Sequence, residues 1–197
     1  MKKTLFTIAL MGGLTGVAQA QHSNVSLGLK AGGSYSSFVG KQATNYESIF
    51  GFHAGAFANI GITDLFAFQP EIIYSQKGAK TSTSDVTTRL NYVDVPLSFH
   101  VNADGLFFEA GPQVGFLLAA KDQAGNLSLD RKPLYNTVDF GYLVGLGYQR
   151  KTGPGVGLRY NGGFTNVEKS YTAGNVTVQN NIRNSVFQLY LTYSFGG

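Results

Sequence analysis

Along eight segments of this chain, apolar residues alternate with polar or small residues at a period of two, which is the period of a β-strand. The segments lie approximately at 24–35, 49–60, 65–77, 89–102, 106–118, 138–149, 155–165 and 184–195. In the last segment, Gln188, Tyr190, Thr192 and Ser194 form the polar row. The apolar row opposite consists of Phe187, Leu189, Leu191, Tyr193 and Phe195. Eight consecutive segments of this kind predict an all-β fold.

The polar rows are predicted to face the inside of a barrel and the apolar rows to face lipid. Charged residues make up only 13% of the chain, about half the usual share, which is too little for a surface covered by water. No later segment is apolar for long enough to span a bilayer as a helix, so a closed barrel is the remaining way to satisfy the backbone in lipid. We therefore predict an eight-stranded antiparallel up-and-down transmembrane β-barrel.

The connections between the segments alternate in length, which indicates how the barrel is oriented. Outer-membrane barrels have short periplasmic turns and long external loops. The short connections, and with them both chain termini, are therefore expected on the periplasmic side. Short connections occur at 61–64, 103–105 and 150–154, and long ones at 36–48, 78–88, 119–137 and 166–183.

The N-terminus has the features of a secretory signal peptide. Two lysines follow the first methionine, residues 5–17 are mostly apolar, and residues 18–20 form an Ala-Gln-Ala cleavage site. We expect cleavage between Ala20 and Gln21, which makes residues 1–20 the signal peptide and residues 21–197 the barrel domain. The mature protein would then be exported and reach a bacterial outer membrane.

Composition argues against several classes of function. The chain has no cysteine, so it has neither disulfides nor a thiolate metal site. Without Lys2 and Lys3, the 15 basic residues become 13 against 11 acidic ones, a net charge of +2, which does not suggest nucleic-acid binding.

Seven ionisable side chains have the parity of the barrel interior, and we predict that they form a polar network there. One interpretation is an ion-paired plug, because the inside of a barrel of about eight strands is just filled by side chains and buried charges must be paired. The other is a gated ion path or a ligand pocket, which the excess of acidic residues and the inward glycines favour. The seven are Lys30, His53, Glu71, Asp94, Glu109, Asp139 and Arg159.

No constellation of residues supports catalysis, so we predict that the protein is not an enzyme and has neither a cofactor nor a metal site. The long connections contain no histidine, and the three histidines of the chain are His22, His53 and His100. None of them is placed beside a nucleophile with the geometry that catalysis requires. Loop cations such as Lys41 and Lys132 could contact lipopolysaccharide phosphates, although ordinary surface charge is the favoured interpretation.

Three prolines lie inside predicted strands, where a missing N–H should interrupt the hydrogen-bond ladder. We expect β-bulges at Pro70, Pro96 and Pro112. Phe57, Leu117 and Leu143 share the inward parity and are expected as apolar filler.

Four runs of this sequence form a recognisable set, namely QPEIIYSQKGAK (69–80), RLNYVDVPLSF (89–99), FEAGPQVGFLL (108–118) and GLRYNGGFTNV (157–167). Together they resemble the PorT-like outer-membrane β-barrel family of Bacteroidetes, whose proteins are described as porin-family proteins. The resemblance covers nearly the whole mature chain and includes the placement of the three prolines. It implies an outer-membrane barrel, and, since the namesake is tied to gliding and protein secretion, it suggests a secretion-associated role.

Three functions remain open from the sequence. The first is a monomeric, non-enzymatic outer-membrane barrel whose external loops or periplasmic rim contact an envelope or secretion-system protein, with membrane lipid and lipopolysaccharide around it. The second is a narrow diffusion pore, favoured by the inward glycine rows and the acidic excess. The third is a secreted lipocalin-like binding barrel, which requires the Phe and Leu rows to point inward.

Overall fold

The computed structural model describes residues 24–125, 127–173, 176–178 and 180–196. The predicted signal peptide and its cleavage site between Ala20 and Gln21 lie outside the described residues, and so does His22.

Eight long strands form a closed antiparallel barrel, which confirms the predicted fold class. Each strand pairs with its neighbours in the chain, and the first strand pairs with the last, from Gly28 opposite Ser194 to Val39 opposite Arg183. The eight are β1 (Val25–Val39), β2 (Tyr46–Gly61), β3 (Phe66–Thr81), β4 (Val86–Ala103), β5 (Leu106–Ala124), β7 (Val138–Gln149), β8 (Gly153–Gly163) and β11 (Arg183–Ser194).

Shorter elements lie at the outer end of the barrel. Strand β6 (Leu127–Asp130) pairs with the last residues of β5, and a 3₁₀ turn (Lys132–Leu134) follows it. A small hairpin consists of β9 (Tyr171–Ala173) and β10 (Val176–Val178). Among the described residues, no helix has both the length and the apolar character needed to cross a membrane.

The alternation of the sequence translates directly into two faces. The five apolar residues of the closing row, Phe187 to Phe195, are 52% to 67% exposed on the outer surface, whereas Gln188 and Tyr190 between them are buried inside. An exposed apolar band of this extent suits lipid and not water. The lipocalin-like alternative required these rows to point inward, and the structure does not meet that requirement.

On the outer side, the strands continue beyond the segments in which apolar and polar residues alternate. Strand β3 continues to Thr81 and β4 begins at Val86, so the predicted long loop at 78–88 is a short turn at residues 82–85. Beyond the lipid both faces of a hairpin meet water or loops, so side chains no longer need to alternate. The main-chain ladder continues there all the same, and hydrophobic periodicity could not reveal it.

The expected bulges at the three prolines are wrong. Strands β3 and β4 keep one register throughout, and β5 and β7 do the same. The ladder only lacks pairs next to the prolines, as between Pro70–Leu97 and Ile73–Asp94, because proline removes a donor without adding a residue. The register shifts lie elsewhere, between Ser48 and His53 of β2 and between Asn91 and Tyr92 of β4.

Gly78 is a position where the barrel depends on glycine. Its φ is +140°, and an added Cβ would collide with the carbonyl oxygen of Thr88 on the neighbouring strand. We expect Gly78→Ala to lower the free energy of unfolding by about 1–3 kcal/mol through backbone strain, measured by urea titration of the barrel in vesicles. Gly33→Ala is the control, because a Cβ there meets nothing within 4 Å. Equal stability of the two variants would contradict this account.

Candidate functional site

A buried guanidinium joins three strands at the centre of the barrel. Arg159 on β8 donates two hydrogen bonds to Glu71 on β3, at 3.0 and 2.8 Å, and also bonds both carboxylate oxygens of Glu109 on β5. Lys30 on β1 donates to Glu71 at 2.6 Å. We call Lys30, Glu71, Glu109 and Arg159 the central ion cluster. Its two cations and two carboxylates compensate each other, which burial of charge requires.

Neutral side chains complete the coordination of this cluster. The Tyr190 hydroxyl donates to Glu109 at 2.7 Å, and the Lys30 ammonium lies 4.2 Å from the centroid of the Tyr190 ring. The side-chain amide of Gln69 donates to Glu71 at 2.8 Å. The carboxylates therefore accept hydrogen bonds from neutral donors as well as from cations, so the plug is a connected network.

A second group of charges lies nearer the outer end. Lys77 on β3 donates to Asp94 on β4 at 2.9 Å and lies 3.9 Å from the Asp139 carboxylate on β7. Asn184 donates to Asp139 at 2.8 Å. We call Lys77, Asp94 and Asp139 the outer ion cluster. His53 belongs to neither cluster, and its ring nitrogen Nδ1 lies 3.0 Å from the hydroxyl of Ser34.

Lys77 is the interior charge that the sequence analysis missed. It has the same parity along β3 as Glu71, and that signal alone would have placed it inside. With Lys77 included, the described interior holds three Lys or Arg side chains against four carboxylates, not two against four. The acidic excess that favoured a conducting lumen is correspondingly smaller.

The inward glycines make room for these large side chains. A Cβ on Gly145 would collide with the Glu109 carboxylate, and one on Gly157 would collide with the Tyr190 ring. The glycine rows therefore provide space for large side chains of the adjacent strands, since Gly145 pairs with Glu109 and Gly157 with Tyr190. This arrangement explains the glycines without an open channel.

The outer end of the lumen is closed by apolar side chains. Phe38 and Leu90 come from strands, whereas Tyr135, Val167 and Ile182 come from the outer connections. The two connections are tied by main-chain hydrogen bonds from Asn136 to Val167 and from Lys169 to Leu134, both at 2.9 Å, and the second connection is closed on itself by a bond from Val167 to Ile182 at 2.7 Å. We call this group of buried residues the outer apolar cap.

The opposite end of the barrel is open. A cavity of about 350 Å³ lies between the short turns, with exposed rim residues Asp64, Asp104 and Arg150. Its floor includes the buried side chains of Lys30 and Tyr190. We call this cavity the periplasmic vestibule, since short turns mark the periplasmic side. Among the described residues, no group of three or more His, Asp or Glu side chains is placed to hold a metal ion.

Comparison with known proteins identifies the family. A sequence model described as "Outer membrane protein beta-barrel domain" matches residues 17–169. The chain belongs to this family. The outer membrane is therefore its expected location, which agrees with the band of exposed apolar side chains on the outer surface of the barrel.

Solved structures of outer-membrane barrels have the same fold. Neisserial surface protein A is 16% identical, covering 87% of this chain and 99% of its own, with a TM-score of 0.54. The attachment invasion locus protein Ail of Yersinia pestis is 13% identical, covering 86% and 98%, with a TM-score of 0.51. At these identities the likeness concerns the fold alone. No curated protein matches the sequence.

The central ion cluster should dominate the stability of the barrel. Arg159→Met leaves Glu71 and Glu109 with only one cation, and we expect a loss of about 3–5 kcal/mol in the free energy of unfolding, measured by urea titration in vesicles. Adding Glu109→Gln should restore part of the loss, because one Lys30–Glu71 pair then remains. Arg150→Ala on the exposed rim is the control, with a change within about 0.5 kcal/mol. No recovery in the double variant would contradict the charge argument.

Proposed function

We propose that this protein is a non-enzymatic outer-membrane barrel that acts by contact with other components of the bacterial envelope. The observation that carries the proposal is the filled lumen: two ion clusters and the outer apolar cap occupy most of its length. A barrel closed in this way serves as a rigid scaffold. Its contacts are then made by the external loops or by the periplasmic rim.

The connection between β5 and β7 supports an external contact surface. Leu127, Leu129 and Leu134 are 59%, 43% and 55% exposed, on the segment 127–134, which we call the outer ledge. Exposed leucines beyond the lipid band are typical of surfaces that bind a partner. The outer end of the barrel also carries cations that suit lipopolysaccharide phosphates, although Lys80 near the end of β3 is paired with Asp85 at 2.8 Å and Arg131 lies 3.4 Å from Asp122.

A more specific role in secretion rests on the resemblance to PorT-like proteins of Bacteroidetes. The motifs that carry it include strand prolines 70, 96 and 112, which lie in β3, β4 and β5. We propose export through cleavage after Ala20, insertion as a monomeric barrel, and association with an envelope or secretion-system protein.

Crosslinking in intact cells tests the contact surface. In a variant with Leu127→Asn, Leu129→Asn and Leu134→Asn, we expect loss of the crosslinked species seen with the wild type, identified by mass spectrometry, because the apolar contact is removed. The matched control is Ile62→Asn with Leu65→Asn on the periplasmic rim, where both residues are also exposed. Loss of the crosslinked species only in the rim variant would show that the contact lies on the periplasmic side. Unchanged species in both folded variants would refute a contact role for these surfaces.

Planar-bilayer recording tests the rival function, a narrow diffusion pore. We expect no discrete conductance steps from the wild type, because the outer apolar cap and the paired charges block the lumen. Arg159→Ala should also be silent, since the cap remains. Discrete steps in the wild type that change in size with Glu71→Ala would establish a pore and overturn the proposal of a closed scaffold.

A further inference from the structure

The periplasmic vestibule has the dimensions and construction of a small-molecule site. Its volume of about 350 Å³ lies in the range of roughly 300–1,000 Å³ typical of ligand pockets. Buried aromatic side chains contribute to its wall, namely Phe57 and Phe107, and the ring of Phe107 stacks on His100 with centroids 4.9 Å apart. Packed rings of this kind give the cavity a preformed shape.

The charges around the vestibule favour a neutral ligand. Its exposed rim carries Asp64 and Asp104 against Arg150 and Lys151, which balance one another. On the floor, Lys30 is already bound to Glu71 at 2.6 Å. An anion would meet the two aspartates and a cation the two basic residues, so neither has a clear electrostatic advantage.

The neutral polar groups of the vestibule are suited to hydroxyl and amide groups. Asn59 donates to Gln69 at 2.9 Å, and Gln69 donates in turn to Glu71, which leaves the Asn59 carbonyl oxygen free of this chain of bonds. The hydroxyl of Ser194 is buried and has no hydrogen-bond partner among the described residues. Asn102 adds a further amide. Amide and hydroxyl groups and aromatic side chains thus line the same cavity.

An extended peptide cannot bind here by adding a strand to the sheet. Peptides that add to a sheet need a free strand edge, but the eight barrel strands are all paired on both sides, including β1 with β11. Recognition in the vestibule must therefore come from side chains.

We propose that the periplasmic vestibule binds a short neutral saccharide. Its hydroxyl or acetamido groups bond to Asn59, Asn102 and Ser194, and the apolar C–H groups of the sugar ring lie against the cavity-lining atoms of Phe57 or Phe107, since aromatic side chains place apolar area beside polar groups. This site lies at the opposite end from the outer ledge. Its existence does not depend on whether the loops bind a partner.

The test uses N,N′-diacetylchitobiose as the probe, added to the full barrel in lipid nanodiscs prepared without glycoside detergents. NMR should show saturable shifts of backbone amides around the vestibule. Asn59→Leu should weaken binding about tenfold, as expected from one or two lost hydrogen bonds. Ser26→Trp, which fills the vestibule from β1, should abolish it. Ser37→Trp near the other end of β1 is the matched control and should bind like the wild type.

The alternatives are separated by two further probes and a folding check. Inorganic phosphate and tetra-alanine should give no saturable shifts, and tighter binding of either would overturn the assignment to a saccharide. Absence of saturable chitobiose shifts in the wild type, or equal binding by Ser26→Trp, would overturn it too. Heat-dependent gel mobility shows that each variant is folded, so a loss of binding cannot come from a lost barrel.

Discussion

The bond network of Arg159 with Glu71 and Glu109 is the interaction on which the rest of the barrel depends. An eight-stranded barrel has an interior that side chains just fill. A charge placed there is therefore poorly solvated by water and must be compensated by other side chains. The guanidinium meets its carboxylates through paired, charge-assisted hydrogen bonds. Because the participants come from β3, β5 and β8, the network also fixes how distant parts of the barrel wall face one another.

Other features of the interior follow from accommodating these charges. Glycines on β7 and β8 provide the space for Glu109 and Tyr190, and a second cluster around Lys77 repeats the compensation farther out. Towards the outside the lining changes from ionic to apolar, where Tyr135 and Val167 of the outer connections close the barrel. The lumen therefore has a closed outer end, an ion-paired middle and an open periplasmic end. These two ends are where we propose that the molecule meets other molecules.

The apolar band and the polar interior together explain why a chain with so few charges forms a stable fold. Lipid covers the outward rows, which would otherwise expose apolar area to water. The backbone is satisfied by the closed ladder, in which β1 meets β11. Prolines in three strands interrupt this ladder locally, yet the register continues past them because a missing donor changes no residue count.

The sequence by itself determined the strand number, the closure and the two faces, because a period of two places every second side chain on the same side whatever the strand's neighbours are. The same parity placed Glu71, Glu109 and Arg159 inside. The same signal was available for Lys77. Parity did not determine which charges meet, since strands distant in sequence are brought together only when the barrel closes. The outer strand ends, the register shifts away from the prolines, the apolar cap and the vestibule were likewise decided by the tertiary structure. Each depends on main-chain pairing or on contacts between loops, and neither leaves a periodic signal in the sequence.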